Sequence, residues 1–132
     1  EILLKCLKSD DVKVRTASAG ILSIYSNELD NIIDEIIILL GDNTKDVRTS
    51  TINSTVKIIQ KVGLNQILTK LLQNLSDEGS LDTQRSIALI LGRTVKYEDE
   101  DIKKRVISLL RIRCEMSQDP IICSTLQELK DI

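Results

Sequence analysis

Apolar residues along the chain recur in stripes with helical spacing, and short polar breaks separate the stripes. The clearest stripe lies in "LNQILTKLLQNL", at Leu64, Ile67, Leu68, Leu71, Leu72 and Leu75. Steps of three and one place all of these side chains on one face of an α-helix. Similar stripes cover residues 32–40 and 102–110, and residues 3–7 look like the last turns of another. The pattern therefore predicts four helices of this kind.

A second helix is predicted after each stripe, starting in the polar break. The breaks read "KSDD", "GDNT", "SDEGSLD" and "SQDP". Asp11, Thr44 and Asp119 are predicted N-caps because their side-chain oxygens can accept from free amides of the first turn, and Pro120 suits that turn. The second helices are predicted over residues 12–26, 45–61, 82–96 and 120–131. Residues 49–59 leave a strand open as an alternative because they are rich in β-branched side chains.

The helix pairs repeat along the chain. Arg15, Arg48 and Arg85 occupy the same place near the start of the second helices, at spacings of 33 (48 − 15) and 37 (85 − 48), and Cys123 stands there in the fourth. Such a period is typical of a helical solenoid, in which each pair buries its apolar face by stacking on the next. We predict one all-α domain over residues 1–132, with repeats of about 1–27, 28–62, 63–96 and 97–132.

Two of the repeats resemble units of the HEAT repeat family. "LLKCLKSDDVKVRTASAGIL" and "IILLGDNTKDVRTSTIN" run, as those units do, through an apolar helix, an Asp-containing turn, Val-Arg and a second helix. "LLQNLSDEGSLDTQRSIALILG" keeps Arg85 with a longer turn, and "LLRIRCEMSQDPIICSTLQEL" keeps Asp-Pro but lacks the arginine. The resemblance spans the whole chain and implies a right-handed α-α superhelix of about four helix pairs. It implies a fold and no particular partner, since the family includes translation regulators, phosphatase scaffolds and transport receptors.

The resemblance also implies a structural role for the arginines. In the HEAT pattern, the turn aspartate and the helix arginine form hydrogen bonds within and between repeats. Asp42 with Arg48, and Asp10 or Asp11 with Arg15, would belong to such a ladder. Arg85 would occupy the corresponding place in the third repeat. These arginines are therefore expected to hold the repeats together and not to bind a ligand.

The resemblance further places the second helices on the concave side of the array, where their polar residues would form a groove. The expected groove residues are Thr16, Thr49, Asn53, Lys57, Gln60, Arg93 and Lys96. Lys57, Arg93 and Lys96 would form its positive part. The hypothesis is that this groove binds an acidic or helical segment of a partner protein, and the alternative is a solvated face with no ligand.

Composition narrows the function classes. The formal charge is −2, there is no Phe or Trp, and Tyr occurs twice. A nucleic-acid module normally shows a basic excess with stacking aromatics, so a ribosome- or nucleic-acid-associated module ranks second to a protein-interaction scaffold. Histidine is absent, which removes the usual general base and the usual zinc ligand. We therefore expect no enzyme, no cofactor and no metal, and another protein as the partner.

The chain is expected to be intracellular and cytoplasmic. No apolar stretch reaches the roughly 18 residues of a membrane span, and no signal peptide is visible. Three cysteines with no CxxC spacing favour reduced thiols, with a contact between Cys114 and Cys123 as the weaker alternative. Helical apolar spacing is already under way at Ile2, which favours a fragment of a longer solenoid.

Overall fold

The computed structural model describes residues 2–76 and 79–131, and this part of the chain contains helices and turns but no strand. The helices are α1 (Ile2–Leu7), α2 (Val12–Gly20), α3 (Leu29–Leu40), α4 (Lys45–Val62), α5 (Leu68–Leu75), α6 (Leu81–Thr94), α7 (Glu100–Ser117) and α8 (Pro120–Lys130). Short 3₁₀ segments follow α2, α4 and α6, at Leu22–Glu28, Leu64–Gln66 and Val95–Tyr97. The all-α prediction is confirmed, and the strand alternative for residues 49–59 is wrong because they lie inside α4.

Two predicted helices are interrupted. The helix expected over residues 12–26 ends at Gly20 and continues as a 3₁₀ segment, in which Tyr25 has a non-helical backbone with φ −99° and ψ 24°. The stripe beginning at Leu64 is broken at Ile67, whose φ is −128°. Both Leu64 and Ile67 are nevertheless fully buried. A 3₁₀ turn also brings residues i and i+3 to one side, so the apolar spacing does not distinguish it from an α-helix.

Two of the three predicted N-caps are confirmed. The carboxylate of Asp11 accepts from the backbone amide of Lys13 at 2.9 Å, and that of Asp119 accepts from two amides in the first turn of α8. Thr44 does not cap α4 with its side chain. Its hydroxyl instead donates to Asn43 Oδ1 at 3.3 Å. Thr44 therefore stands at the N-cap position of α4 without accepting from an amide of its first turn.

The second helices of successive pairs pack against one another in chain order, and so do the first helices. Helix α2 packs against α4, α4 against α6, and α6 against α8, while α1, α3, α5 and α7 contact one another in the same sequence. Each helix also packs against the other member of its own pair. The buried core between the two rows consists of Leu, Ile, Val and Ala side chains along the whole stack. All second helices, α2, α4, α6 and α8, therefore lie side by side.

Buried hydroxyls explain how the polar sequence of α4 can lie in the interior. Ser54 Oγ donates to the carbonyl of Ala19 in α2 at 2.5 Å, which links two adjacent pairs. Ser86 Oγ in α6 makes the same kind of bond to the carbonyl of Leu40 at 2.6 Å. The buried Thr51 and Thr55 each donate to a carbonyl one turn earlier in α4. Because each hydroxyl has an acceptor, these small residues allow close helix contact without an unsatisfied group.

Two cysteines form a disulfide. Cys114 in α7 and Cys123 in α8 are bonded across a sequence separation of 9, while Cys6 is free and half-buried. The expectation of reduced thiols throughout is therefore wrong for this pair. An odd cysteine count guarantees only that at least one cysteine has no partner within the chain. The turn between α7 and α8 brings the other two together, and a linear spacing does not show this.

Gly63 is expected to be indispensable for the turn after α4. Its backbone has φ 94° and ψ 152°, a region open essentially to glycine alone, whereas a Cβ there would meet nothing within 4 Å. Gly63→Ala should therefore lower the free energy of unfolding by about 1–3 kcal/mol through backbone strain alone. Urea unfolding measures the change. Gly20→Ala is the matched control, because that site is equally open and has no positive φ. Equal midpoints for both variants would contradict the prediction.

Candidate functional site

A row of arginine–aspartate contacts runs along the edge where the second helices begin. The pairs are Arg15–Asp42, Arg48–Asp82 and Arg85–Asp119, with N···O distances of 3.1, 3.9 and 2.6 Å. In each case the arginine belongs to one helix pair and the aspartate to the next. The arginine ladder therefore links neighbouring pairs along the described stack.

The partner of Arg15 differs from the expectation. Neither Asp10 nor Asp11 receives its guanidinium, because Nε and Nη2 donate to Asp42 and Nη1 donates to the carbonyl of Ser9 at 2.8 Å. Asp11 uses its carboxylate to cap α2. The expected pairing within the first repeat is therefore wrong, and the ion pair lies between repeats.

Arg48 and Asp42 do contact each other, but through the backbone. Arg48 Nη1 donates to the carbonyl oxygen of Asp42 at 2.7 Å, while the Asp42 carboxylate receives Arg15 and the amide of Thr44. The acceptor is six residues before the arginine, as Ser9 is before Arg15. Each of these two arginines thus holds the break before its own helix. Arg15 reaches the next pair with its other nitrogens, whereas Arg48 uses the same Nη1 for its 3.9 Å approach to Asp82.

The expected groove residues are mostly exposed, but they are not equally placed. Thr49, Asn53, Lys57 and Gln60 form one exposed stripe along α4. Arg93 in α6 donates to Asn53 Oδ1 at 2.8 Å, which brings the two stripes together. Thr16 is different, since it is half-buried and its Oγ1 is enclosed without a hydrogen-bond partner among the described residues. Thr16 is therefore not part of the exposed row.

A groove of about 600 Å³ lies between α6 and α8. Its lining residues are Leu89, Gly92, Arg93, Lys96, Pro120, Ile121, Ser124, Thr125 and Glu128. A Cβ on Gly92 would lie 3.2 Å from Thr125 Cγ2, so glycine permits the close approach of α8 here. A smaller depression of about 150 Å³ shares Leu89 and Ile121 and extends to Thr49 and Ile52 in α4. Together these two depressions form the α4–α6–α8 groove.

The lining of the α4–α6–α8 groove combines exposed apolar side chains with cations. Leu89 is 41% exposed and Ile121 is 38% exposed, so both offer apolar surface to a ligand. Arg93 and Lys96 on the α6 side are its cations, and Glu128 is the acid on the α8 side. Lys57 and Gln60 are exposed on α4 but line neither depression. The groove is therefore narrower than the expected row and includes α8.

Sequence reasoning missed Leu89 and Ile121 because apolar residues on a helix were assigned to the core. A signal was present for Leu89, which lies four residues before Arg93 and therefore on the same face of α6. No such signal indicated that Ile121 in α8 is exposed, because the spacing of the apolar residues in α8 also fits a fully buried stripe.

Within residues 2–76 and 79–131, no group of three or more His, Cys, Asp or Glu residues is arranged to hold a metal ion. No helix in the same described part has the length and apolar character needed to cross a membrane. No family model matches the chain, and neither a curated protein nor a solved structure does. The candidate function therefore rests on the geometry of the groove.

Proposed function

We propose that this chain is a non-catalytic protein-interaction scaffold, built as a right-handed HEAT-like solenoid of four helix pairs. The packing of second helices in chain order and the arginine ladder between successive pairs support this architecture. Its binding surface is the α4–α6–α8 groove, and the ligand is an acidic amphipathic helix of a partner protein.

The combination of exposed apolar and cationic side chains in one groove supports this proposal. A partner helix with apolar residues at i, i+3 and i+4 can cover Leu89 and Ile121 with one face. Acidic side chains beside that face then meet Arg93 and Lys96, while Lys57 adds positive potential from α4. Burial of the apolar contacts provides affinity, and the charges favour acidic partners and speed their approach.

The second candidate is a ribosome- or nucleic-acid-associated module. Tyr97 is 78% exposed beside the groove, and Lys96 Nζ lies 5.3 Å from its ring centroid. An aromatic ring next to a cation can stack a base and bind its phosphate. However, Arg15, Arg48 and Arg85 are engaged in the ladder and supply little free positive charge. A protein ligand therefore fits this surface better.

The test is binding of a fluorescein-labelled acidic peptide, with leucines at helical spacing and glutamates between them, measured by fluorescence polarisation. Reversal of Lys57, Arg93 and Lys96 to Glu should weaken binding about tenfold, since the two cations of the groove and the nearby Lys57 each contribute modestly and together approach about 1.4 kcal/mol. Leu89→Asp should also weaken binding, because it replaces an apolar lining residue by a charge.

The matched control reverses three exposed cations on first helices, Lys5, Lys104 and Arg111, and so changes the net charge by the same amount. This control should leave the affinity for the peptide within twofold of wild type. Equal losses in both triple variants would show an effect of net charge and refute the groove. Binding of a single-stranded RNA oligonucleotide, but not of the peptide, with a steep salt dependence would replace the proposal by the second candidate.

A further inference from the structure

Three charged side chains line the α4–α6–α8 groove without forming an ion pair with any described residue. They are Arg93 and Lys96 in α6 and Glu128 in α8, and all three are exposed. Arg93 Nη1 donates to the neutral amide of Asn53, and Lys96 Nζ lies 5.3 Å from the ring centroid of Tyr97. The groove therefore offers charges of both signs to a ligand.

Helices α6 and α8 run in the same direction along the groove. Near the start of both helices, Arg85 Nε lies 2.6 Å from Asp119 Oδ1. Further along both, a Cβ on Gly92 would lie 3.2 Å from Thr125 Cγ2. Because the contacting positions advance together, equal steps along α6 and α8 lead to the same end of the groove.

The apolar and charged residues of the groove lie at different points along these helices. Leu89 and Ile121 line both depressions of the groove. Lys96 and Glu128 each follow their apolar residue by seven positions (96 − 89 and 128 − 121), which is about two turns or 10 Å along a helix. A ligand that covers the apolar residues with one part therefore meets the charges with another.

The charges are also divided across the groove. Gly92 lies three residues after Leu89, and a Cβ on it would lie 3.9 Å from Glu128 Oε2, so this side of α6 faces α8. Arg93 lies four residues after Leu89 and reaches Asn53 in α4, so it lies on the opposite side of α6. The positive charge is therefore on the side of α4 and α6, and the negative charge is on the side of α8.

We propose that the ligand of the α4–α6–α8 groove is an amphipathic helix with an acidic residue on one flank and a basic residue on the other. This inference rests on the proposed function and specifies its ligand. The acidic flank meets Arg93 and Lys96, and the basic flank meets Glu128. Apolar residues one to two turns away cover Leu89 and Ile121. Glu128 is then a specificity-determining residue, because a uniformly acidic helix would place a like charge beside it.

Helical geometry converts this arrangement into a sequence pattern. A ligand helix that runs parallel to α6 and lies on the groove faces in the opposite direction, so its two sides are exchanged. Successive residues are about 100° apart, so i+8 lies about 80° from apolar position i toward α8, and i+10 lies about 80° from it toward α6. The pattern is therefore apolar at i, i+3 and i+4, basic at i+8 and acidic at i+10. Reversing the helix would move its charged turn away from Glu128.

Three fluorescein-labelled peptides test this pattern by fluorescence polarisation. All have leucines at i, i+3 and i+4, and they differ at i+8 and i+10. The first has Lys and then Glu, the second has Glu and then Lys, and the third has Glu at both positions. The first should bind about fivefold more tightly than the second, because both charges of the second meet like charges. These two peptides have the same composition and net charge, so their difference measures charge placement alone.

Substitutions in the groove identify the residues responsible. Glu128→Lys should abolish the preference between the first two peptides and strengthen binding of the third. Adding Arg93→Glu and Lys96→Glu exchanges the charges of the two sides, so this triple variant should prefer the second peptide. The matched control is Glu115→Lys, which makes the same charge change at an exposed site of α7 outside the groove and should leave the preference unchanged.

Two kinds of negative result have different meanings. Equal affinities of the first two peptides for the wild type, or a preference that persists in Glu128→Lys, would overturn this inference. The proposed function would still stand if the third peptide bound and lost affinity on reversal of Lys57, Arg93 and Lys96. Failure of all three peptides to bind would refute the proposed function and this inference with it.

Discussion

Asp119→Ala is expected to lower the free energy of unfolding by about 3 kcal/mol, as the sum of a lost N-cap and a lost charge-assisted hydrogen bond. The Asp119 side chain is only 2% exposed and accepts from Arg85 Nε at 2.6 Å. It also accepts from the amides of Ile121 and Ile122 at 3.1 and 3.2 Å. Alanine would leave both amides without that acceptor. Arg85 is 38% exposed and can be hydrated, so the ion pair contributes less than a fully buried one would.

Two aspartate variants separate the components of this effect. Asp119→Asn keeps an N-cap and removes the charge, so it should cost about 1–2 kcal/mol. Asp82→Asn alters the corresponding acid of the third pair, which is 42% exposed and 3.9 Å from Arg48, and should change stability by less than about 0.5 kcal/mol. Urea unfolding of the three variants gives the ranking. A loss for Asp119→Ala no larger than that for Asp82→Asn would mean that the 2.6 Å contact adds no stability beyond an exposed ion pair.

The helices could be predicted from the sequence because burial of a stripe requires a period near 3.6. The stripe ending at Leu75 and the cap at Asp119 are local features, and local features are visible in a linear sequence. The break at Ile67 was not predictable in this way, since a 3₁₀ turn satisfies the same apolar spacing. The polar helix α4 was ambiguous for a different reason. Its stability depends on acceptors such as the Ala19 carbonyl, which come from another helix.

In the candidate site, too, some features follow from the sequence and others depend on contacts with another helix. The exposed stripe of α4, including Asn53 and Lys57, follows from helical spacing once the buried face is known. The ladder partner of Arg15 is 27 residues away, so identifying Asp42 required the stacking register of two pairs. The contribution of α8 to the groove depends on how α6 and α8 pack at Gly92, which periodicity does not specify. The exposed stripe was thus predictable, and so was the linking role of the arginines, whereas the partner of Arg15 and the contribution of α8 were not.

Loss of the disulfide between Cys114 and Cys123 is expected to destabilise the fourth pair. The bond closes a loop with a sequence separation of 9 between α7 and α8. For a loop of this length, the entropy of the unfolded chain corresponds to about 2–3 kcal/mol of stabilisation. The variant Cys114→Ser, Cys123→Ser should therefore unfold at a lower urea concentration, by an amount equivalent to that free energy. Treatment of the wild type with dithiothreitol should produce the same shift.

The functional consequence should appear in the α4–α6–α8 groove. Helix α8 supplies Ile121 and Glu128 to that groove, and it packs against both α6 and α7. Without the disulfide, α8 keeps its packing but loses its covalent attachment to α7. Amide hydrogen exchange in α8 should therefore become faster than in the wild type, while exchange in α4 should change less. Affinity for the acidic peptide should fall as the arrangement of α8 that forms the groove becomes less populated.

Cys6→Ser is the control that removes a thiol without removing the disulfide, and dithiothreitol should have no effect on the double serine variant. Unchanged exchange in α8 after reduction would show that side-chain packing alone positions this wall of the groove.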